Sequence, residues 1–464
     1  MSLALTLLVS SVFLSACTKP AADQVLKLQY EISTTDTQVP PDPSKEGVPV
    51  DEAKSSDESA GKTTKKTTKT VSFLLADHAL GLDEDGRKTI YDFAAKRILQ
   101  LDSKAKTFED HSLYVQAGFK DAEVKNRAML AELFCKPGVD SAANGFSPYD
   151  IACELGMDLP KQPEDPGITI RDEENRAEFY YGGKVVAEAE FAETVPEAHL
   201  PMLEKLYVFN CNLHPFVREK IQSRNRHVKE LSYDLRTMGT VRNVRMLLKD
   251  SALVEDDLAV PASYRRVFDK KSALYPMQKK IFSAKTVPVF PGRKAVFEQA
   301  QAFLAKNQQV DAFLTMIEYN LATGEQANEE TRKILATALI DPVVKQITAN
   351  IQPPSKEAAQ ASLKVLESID SKKYAKGYLI GIFKGNLAAS LGEDASKMFV
   401  EALEGNPLIA SAYKDLGDFY YSRFEAGYAW ESWDLGRKVR PTHPMLAEVT
   451  SLEKGLEEAH PEYF

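Results

Sequence analysis

The chain has 464 residues, 44% hydrophobic and 27% charged, which is apolar material for two or more folded domains and excludes wholesale disorder. Its 67 acidic residues outnumber 58 basic ones, and the formal charge of -9 argues against the broad positive surface that phosphate-backbone binding requires, so no nucleic-acid partner is expected. The chain opens with an apolar run without a charge from Leu3 to Ala16. At 1.5 Å per residue such a run spans about 21 Å, short of the hydrocarbon core of about 30 Å.

The run ends in Leu14-Ser15-Ala16-Cys17, which resembles the lipobox of bacterial lipoproteins. The resemblance implies that residues 1–16 are a signal peptide, that Cys17 is diacylated, and that residues 17–24 form a lipidated tether. Two acyl chains on one cysteine are the two signals durable membrane anchoring needs. Thr18 and Lys19 follow the cysteine where an aspartate would mark retention at the inner membrane. For a Gram-negative source the resemblance therefore implies the periplasmic face of the outer membrane. No later apolar run reaches about 18 residues, so no transmembrane helix is expected.

Residues 25–255 read as one β-rich α+β domain. Leu26, Leu28, Tyr30 and Ile32 alternate with polar neighbours as on a strand with one apolar face. Residues 33–69 are rich in Pro, Ser, Thr, Lys, Asp and Glu, and the composition predicts a disordered insertion. Within it Gly61-Lys62-Thr63 imitates the end of a phosphate-binding loop, but Ser56 stands where that motif requires glycine. Strands follow at residues 71–75, 89–93, 98–101 and 106–108. Ala177, Phe179 and Tyr181 meet Val185, Ala187, Ala189 and Phe191 across Gly182-Gly183, and Leu231, Tyr233 and Leu235 pair with Val244, Met246 and Leu248. Helices are expected over 122–134, 149–155 and 197–208. Besides Cys17 the chain holds Cys135, Cys153 and Cys211. Turn signals between Cys135 and Cys153 permit a disulfide there in an oxidising compartment, with inert buried thiols as the alternative. The strands around Ile90-Tyr91-Asp92-Phe93 and Leu101-Asp102 loosely resemble the curved sheets of periplasmic lipoprotein carriers, which implies an apolar cavity for a lipid or exported chain.

Residues 256–290 read as a connector, and from residue 291 to 464 the apolar period lengthens from two to about 3.6. Val296, Ala300, Phe303 and Leu304 form one helix face, and Phe313, Leu314, Ile317 and Leu321 the next. The fold class is thus α+β, an antiparallel β-rich domain with inserted helices followed by an all-α domain. Ala395, Phe399, Ala402 and Pro407 recur 34 residues later as Ala429, Trp433, Gly436 and Pro441, a register that resembles tetratricopeptide repeats over residues 376–443. Phe383 departs from it at the position that family keeps small. A capping helix over 444–459 would turn Glu453, Lys454, Glu457 and Glu458 to solvent. The resemblance assigns partner contacts to Lys384, Lys414, Asp418 and Tyr421.

No metalloprotease His pair and no nucleophile elbow occurs, and Cys211 with His214 lacks a second half-site. No enzymatic activity, cofactor or metal is expected. The sequence reading is an outer-membrane lipoprotein that binds an envelope protein or peptide through helical repeats; the alternative is a carrier or chaperone using the sheet.

Overall fold

The computed structural model describes residues 24–38, 65–134, 148–157, 167–237, 240–256, 258–282, 284 and 286–464. Cys17, Cys135 and residues 39–64 lie outside the described residues. Among the described residues twelve strands form one sheet: β1 (Gln24–Gln38), β2 (Lys65–Leu75), β3 (Ala79–Glu84), β4 (Arg87–Asp92), β5 (Arg97–Asp102), β6 (Thr107–Ser112), β7 (Ile168–Asp172), β8 (Arg176–Tyr181), β9 (Lys184–Thr194), β10 (Arg226–Thr237), β11 (Thr240–Glu255) and β12 (Arg265–Arg266). Their order is β12-β6-β5-β4-β3-β2-β1-β11-β10-β9-β8-β7, two antiparallel meanders joined where β1 pairs with β11. Among the described residues only β12 on β6 is parallel.

Period-two alternation sends Leu26, Leu28, Tyr30, Val71, Phe73 and Leu75 to one face and Val25, Leu74, Ile90 and Leu101 to the other. The first face curls around α2 (Pro148–Leu155), α3 (Leu200–Asn210) and α4 (Pro215–Gln222), so residues from both ends of the sheet join one core. In the β8–β9 hairpin, Gly182 at φ 56° and Gly183 at φ 76° adopt the left-handed pair that a two-residue turn requires. A bulge at Phe179/Tyr180 then shifts the register, and Val186 is buried where the alternation predicted Val185.

Two sequence expectations need correction. Strands β1 and β2 run through residues 33–38 and 65–69, which composition assigned to disorder. These residues are rich in β-branched threonine, and β1 bonds β2 on one side and β11 on the other, so polarity does not prevent pairing. Thr34 and Thr67 share a hydroxyl hydrogen bond of 2.5 Å, and Arg242 holds Asp36 at 2.6 Å. The connector is also part of the fold. Leu258 packs with Val25, Leu74 and Ile90 on the back of the sheet, and β12 extends its edge.

The helices that follow are α5 (Tyr275–Phe282), α6 (Arg293–Ala305), α7 (Gln309–Thr323), α8 (Glu329–Ala338), α9 (Pro342–Asn350), α10 (Lys356–Glu367), α11 (Leu379–Leu391), α12 (Ser396–Gly405), α13 (Ala410–Ser422), α14 (Ala426–Val439) and α15 (Leu446–Ala459). From α6 to α8 and again from α9 to α15, each helix packs on the next. A Cβ on Gly417 of α13 would lie 2.2 Å from Trp433 Nε1, and one on Gly385 of α11 would lie 3.0 Å from the Phe399 ring. Gly385 thus gives the close approach that strict 34-residue spacing sought at Phe383, two positions earlier.

One helix of the β-rich region joins this stack. The helix α1 (Tyr114–Phe134) crosses α14 and α15, with Tyr114 stacked on Trp430 at 6.2 Å between centroids. A Cβ on Gly118 would lie 2.3 Å from Trp430 Cη2. Alanine normally stabilises a helix interior by about 1 kcal/mol over glycine. At Gly118 the clash wins, because Tyr114, Tyr421 and Trp433 surround the indole and leave it no room to turn. Gly118→Ala should therefore destabilise the protein by about 1–3 kcal/mol in urea unfolding, whereas Gly455→Ala on α15, where the added Cβ would have no described neighbour within 4 Å, should raise stability by up to about 1 kcal/mol. Equal effects of the two substitutions would show that α1 does not seat on Trp430.

Candidate functional site

A cleft opens at the seam between the sheet and the helices. Its inner part, about 60 Å³, is lined from β6 by Glu109, Asp110 and His111, from β12 by Arg266, from α5 by Gln278 and Phe282, and from α14 by Glu431 and Asp434. Its outer part, about 320 Å³, continues over Val115 and Phe119 of α1, Asp269, and the Phe424-to-Tyr428 turn into α14. Parallel pairing of Arg266 with Phe108 brings the Arg266 side chain to this edge. The α13–α14 turn places Phe424 at φ 63°, an uncommon conformation for a bulky residue.

The inner part is a charge network. Arg97 donates to Asp110 and to Asp434, each at 2.6 Å, and Arg266 lies 3.1 Å from Asp110. The Arg266 guanidinium also lies 4.2 Å from the centroid of Phe282 and 5.3 Å from that of Phe268. Glu431 has no cation against it among the described residues and accepts from the Ser272 hydroxyl at 2.9 Å and from the Gln278 amide nitrogen. Burial, reinforced by Asp269 and Asp434, pushes its carboxyl up to about 6. The Ser272 hydroxyl also accepts from the Leu274 amide at 3.1 Å.

The four repeat residues that sequence assigned to a partner fall elsewhere. Lys384 sits half-buried on α11. Lys414 is only 6% exposed and donates to Asp418 at 2.6 Å and to Glu448 of α15 at 2.5 Å, a staple between α13 and the last helix. Against the burial that would lower it, those bonds hold its ammonium above the usual range. Burial raises Asp418 as well, and beside it pushes Asp415 up to about 6. Tyr421 packs on Trp430 and Trp433 at 5.5 and 5.7 Å between centroids. The structure thus joins Lys414 with Asp418 and packs the partly buried Tyr421 on the two tryptophans; Lys414 is enclosed, while Asp418 stays exposed.

Cys153 is a free, buried thiol, pushed up to about 12 by burial; its expected partner Cys135 is outside the described residues. Cys211 is likewise buried and free, and ends α3 while His214 caps α4, so the two do not share a helix face. The apolar face of the sheet is covered by the chain's own Leu203, Leu206 and Tyr207 from α3 and Val217 and Ile221 from α4. A lipid there would have to displace these helices. No helix among the described residues is long and apolar enough to cross a membrane.

Sequence reasoning missed the seam cleft because residues near 110, 268 and 430 meet only after folding. The one local signal was Arg423-Phe424-Glu425, a helix end without the glycine or asparagine that favours positive φ. No model of a known protein family matches the chain, and no match to a curated protein was found.

Two outcomes follow from these environments. Lys414→Ala should lower stability by about 1–2 kcal/mol, below the 3–5 of a wholly buried pair because Asp418 and Glu448 reach solvent, while Lys384→Ala should stay within about 0.5 kcal/mol. Unfolding titrations of the two variants compare them directly. Glu431 supplies a pH dependence. Its native value of about 6 exceeds the ordinary 4.5, so below pH 4.5 both states are protonated and nothing is lost. Between those values the native state keeps a proton that the unfolded chain releases, and stability falls as pH rises, by about 2 kcal/mol once above 6. Glu431→Gln should remove this loss when unfolding is measured at pH 4.5 and 7.5. An unchanged slope would contradict the assignment.

Proposed function

We propose that the protein is a non-enzymatic lipoprotein, anchored through Cys17 at the periplasmic face of the outer membrane, that holds an envelope protein or peptide. The observation that carries the binding function is the seam cleft: an open space of about 320 Å³ walled by exposed aromatic rings and acidic groups, built by two regions that are bonded to each other. A binding surface of this kind needs rigid support more than moving parts. Arg97 to Asp434, Lys96 to Glu457 and His460 to Asp121 tie the sheet region to the stack on several sides. The carboxylates beside the cleft are hydrogen-bonded or ion-paired within the chain, an arrangement that supports recognition better than proton transfer.

The lipobox resemblance supports the anchor. Residues 17–23 would span at most about 25 Å when extended, so the start of β1 would stay close to the bilayer. Cys17→Ser should shift the protein from the membrane fraction to the soluble fraction, and mass analysis of the mature N-terminal peptide should show a diacylated cysteine. An unmodified peptide beginning at Met1 would exclude the anchor. For the binding function, a photoreactive residue placed at Tyr428 should form a discrete protein adduct in intact cells, whereas one placed at Lys66 on the exposed part of β2 should not. Identical adduct patterns from the two positions would remove the cleft from consideration.

A further inference from the structure

We propose that the outer part of the seam cleft receives an arginine side chain of the bound partner protein, its guanidinium set among Phe119, Phe424 and Tyr428 and paired with Asp269 and Glu431. This deepens the protein-binding reading above and rests on it. Among the described residues the lining of the outer part includes three carboxylates, Asp269, Glu425 and Glu431, the rings of Phe119, Phe424 and Tyr428, and His111, which lies 3.2 Å from Glu109, with neither lysine nor arginine. Glu425 has Arg423 at 3.6 Å, but Asp269 and Glu431 carry no ion pair among the described residues. The rings of Phe119, Phe424 and Tyr428 are 38%, 43% and 38% exposed, large apolar surfaces held in water beside those charges. A cation with flat faces satisfies both features at once.

The inner part of the same cleft already shows this chemistry with the chain's own residue. Arg266 lies against the stacked pair of Phe268 and Phe282, on the Phe282 ring, and pairs with Asp110, the ring-and-carboxylate setting that the outer part offers with no occupant among the described residues. Deeper in, Gln278 is only 5% exposed and lines the inner part beside Glu431, and its amide oxygen has no hydrogen-bond partner among the described residues. Guanidinium brings five N–H donors in one plane, whereas a primary ammonium brings three and no flat face to stack. The space of about 320 Å³ is ample for such a side chain with its stem.

The test uses the full chain with Cys17→Ser and a fluorescein-labelled peptide, Gly-Ser-Arg-Ser-Gly, beside its citrulline counterpart, which keeps the shape and loses the charge. Fluorescence anisotropy should show the arginine peptide binding at least tenfold more tightly. Asp269→Asn and Tyr428→Ala should each weaken that binding about tenfold with unchanged circular dichroism, and Lys66→Ala should leave it unchanged. Equal affinity for the two peptides, or variants that bind like the parent, would overturn the proposal. So would free spermidine binding more tightly than the arginine peptide at the same residues, which would make the cleft a small-cation site. Mapping the cellular adduct formed at position 428 separates the two readings: an adduct on a segment without arginine defeats this proposal alone, and the absence of any adduct defeats the protein-binding function as well.

Discussion

The architecture depends on one close approach, the seating of Trp430 against the bare backbone of Gly118. The indole is fully buried with Tyr114 stacked on one side and Tyr421 and Trp433 set edgewise around it, and its Nε1 donates to Glu453 at 3.1 Å. Helix α1 can reach this depth only because residue 118 has no side chain. Everything at the seam follows from that depth. It brings Tyr114 to Glu457, sets β6 beside α14 so that Arg97 bridges Asp110 and Asp434, and leaves the cleft where the surfaces diverge.

Charge then fixes the orientation that packing permits. Arg437 grips Glu453 through both guanidinium arms at 2.8 and 2.6 Å, so the carboxylate beside Trp430 is buried with a full set of donors. At the far end the last residues fold back onto the sheet region. Lys205 donates to the Pro461 and Glu462 carbonyls at 3.1 and 2.9 Å and also to that of Phe464, whose ring packs on Tyr114. The hydrogen bond to Asp121, with the Glu462 carboxylate at 3.7 Å from the other ring nitrogen, holds His460 up at about 9, so it is a cation at neutral pH and faces the Asp121 carboxylate as one. An oriented contact of this kind discriminates against sliding, which apolar surface alone does not.

Much of this was legible in the sequence where a local period carries the information. The alternation in β1, β2 and the β8–β9 hairpin, and the change to helical spacing after residue 290, reflect which side of each element is buried. Three features were not legible, each for a distinct reason. Threonine-rich ends of β1 and β2 look like solvated chain until partner strands on both sides satisfy their backbone groups. Glu453 and Glu457 look like the solvated face of a terminal helix, yet one is buried against Trp430 and Arg437 and the other is bonded to Tyr114 and Lys96, partners distant in the chain. Lys414, assigned by spacing to an open groove, is enclosed because α15 lies across it and supplies Glu448. Spacing on one helix says which residues share a face, and only the next layer decides whether that face meets water.

The placement of β1 has a mechanical consequence. This strand enters the fold at Gln24 as a central member of the sheet, antiparallel to β2 on one flank and to β11 along its whole length on the other. A pull arriving through the residues before Gln24 acts along the strand axis, at right angles to the inter-strand hydrogen bonds. Both ladders are then loaded in shear, and many rungs resist together instead of opening one after another as they would at a peeled edge. The topology thus places its greatest resistance to force where the polypeptide enters the sheet.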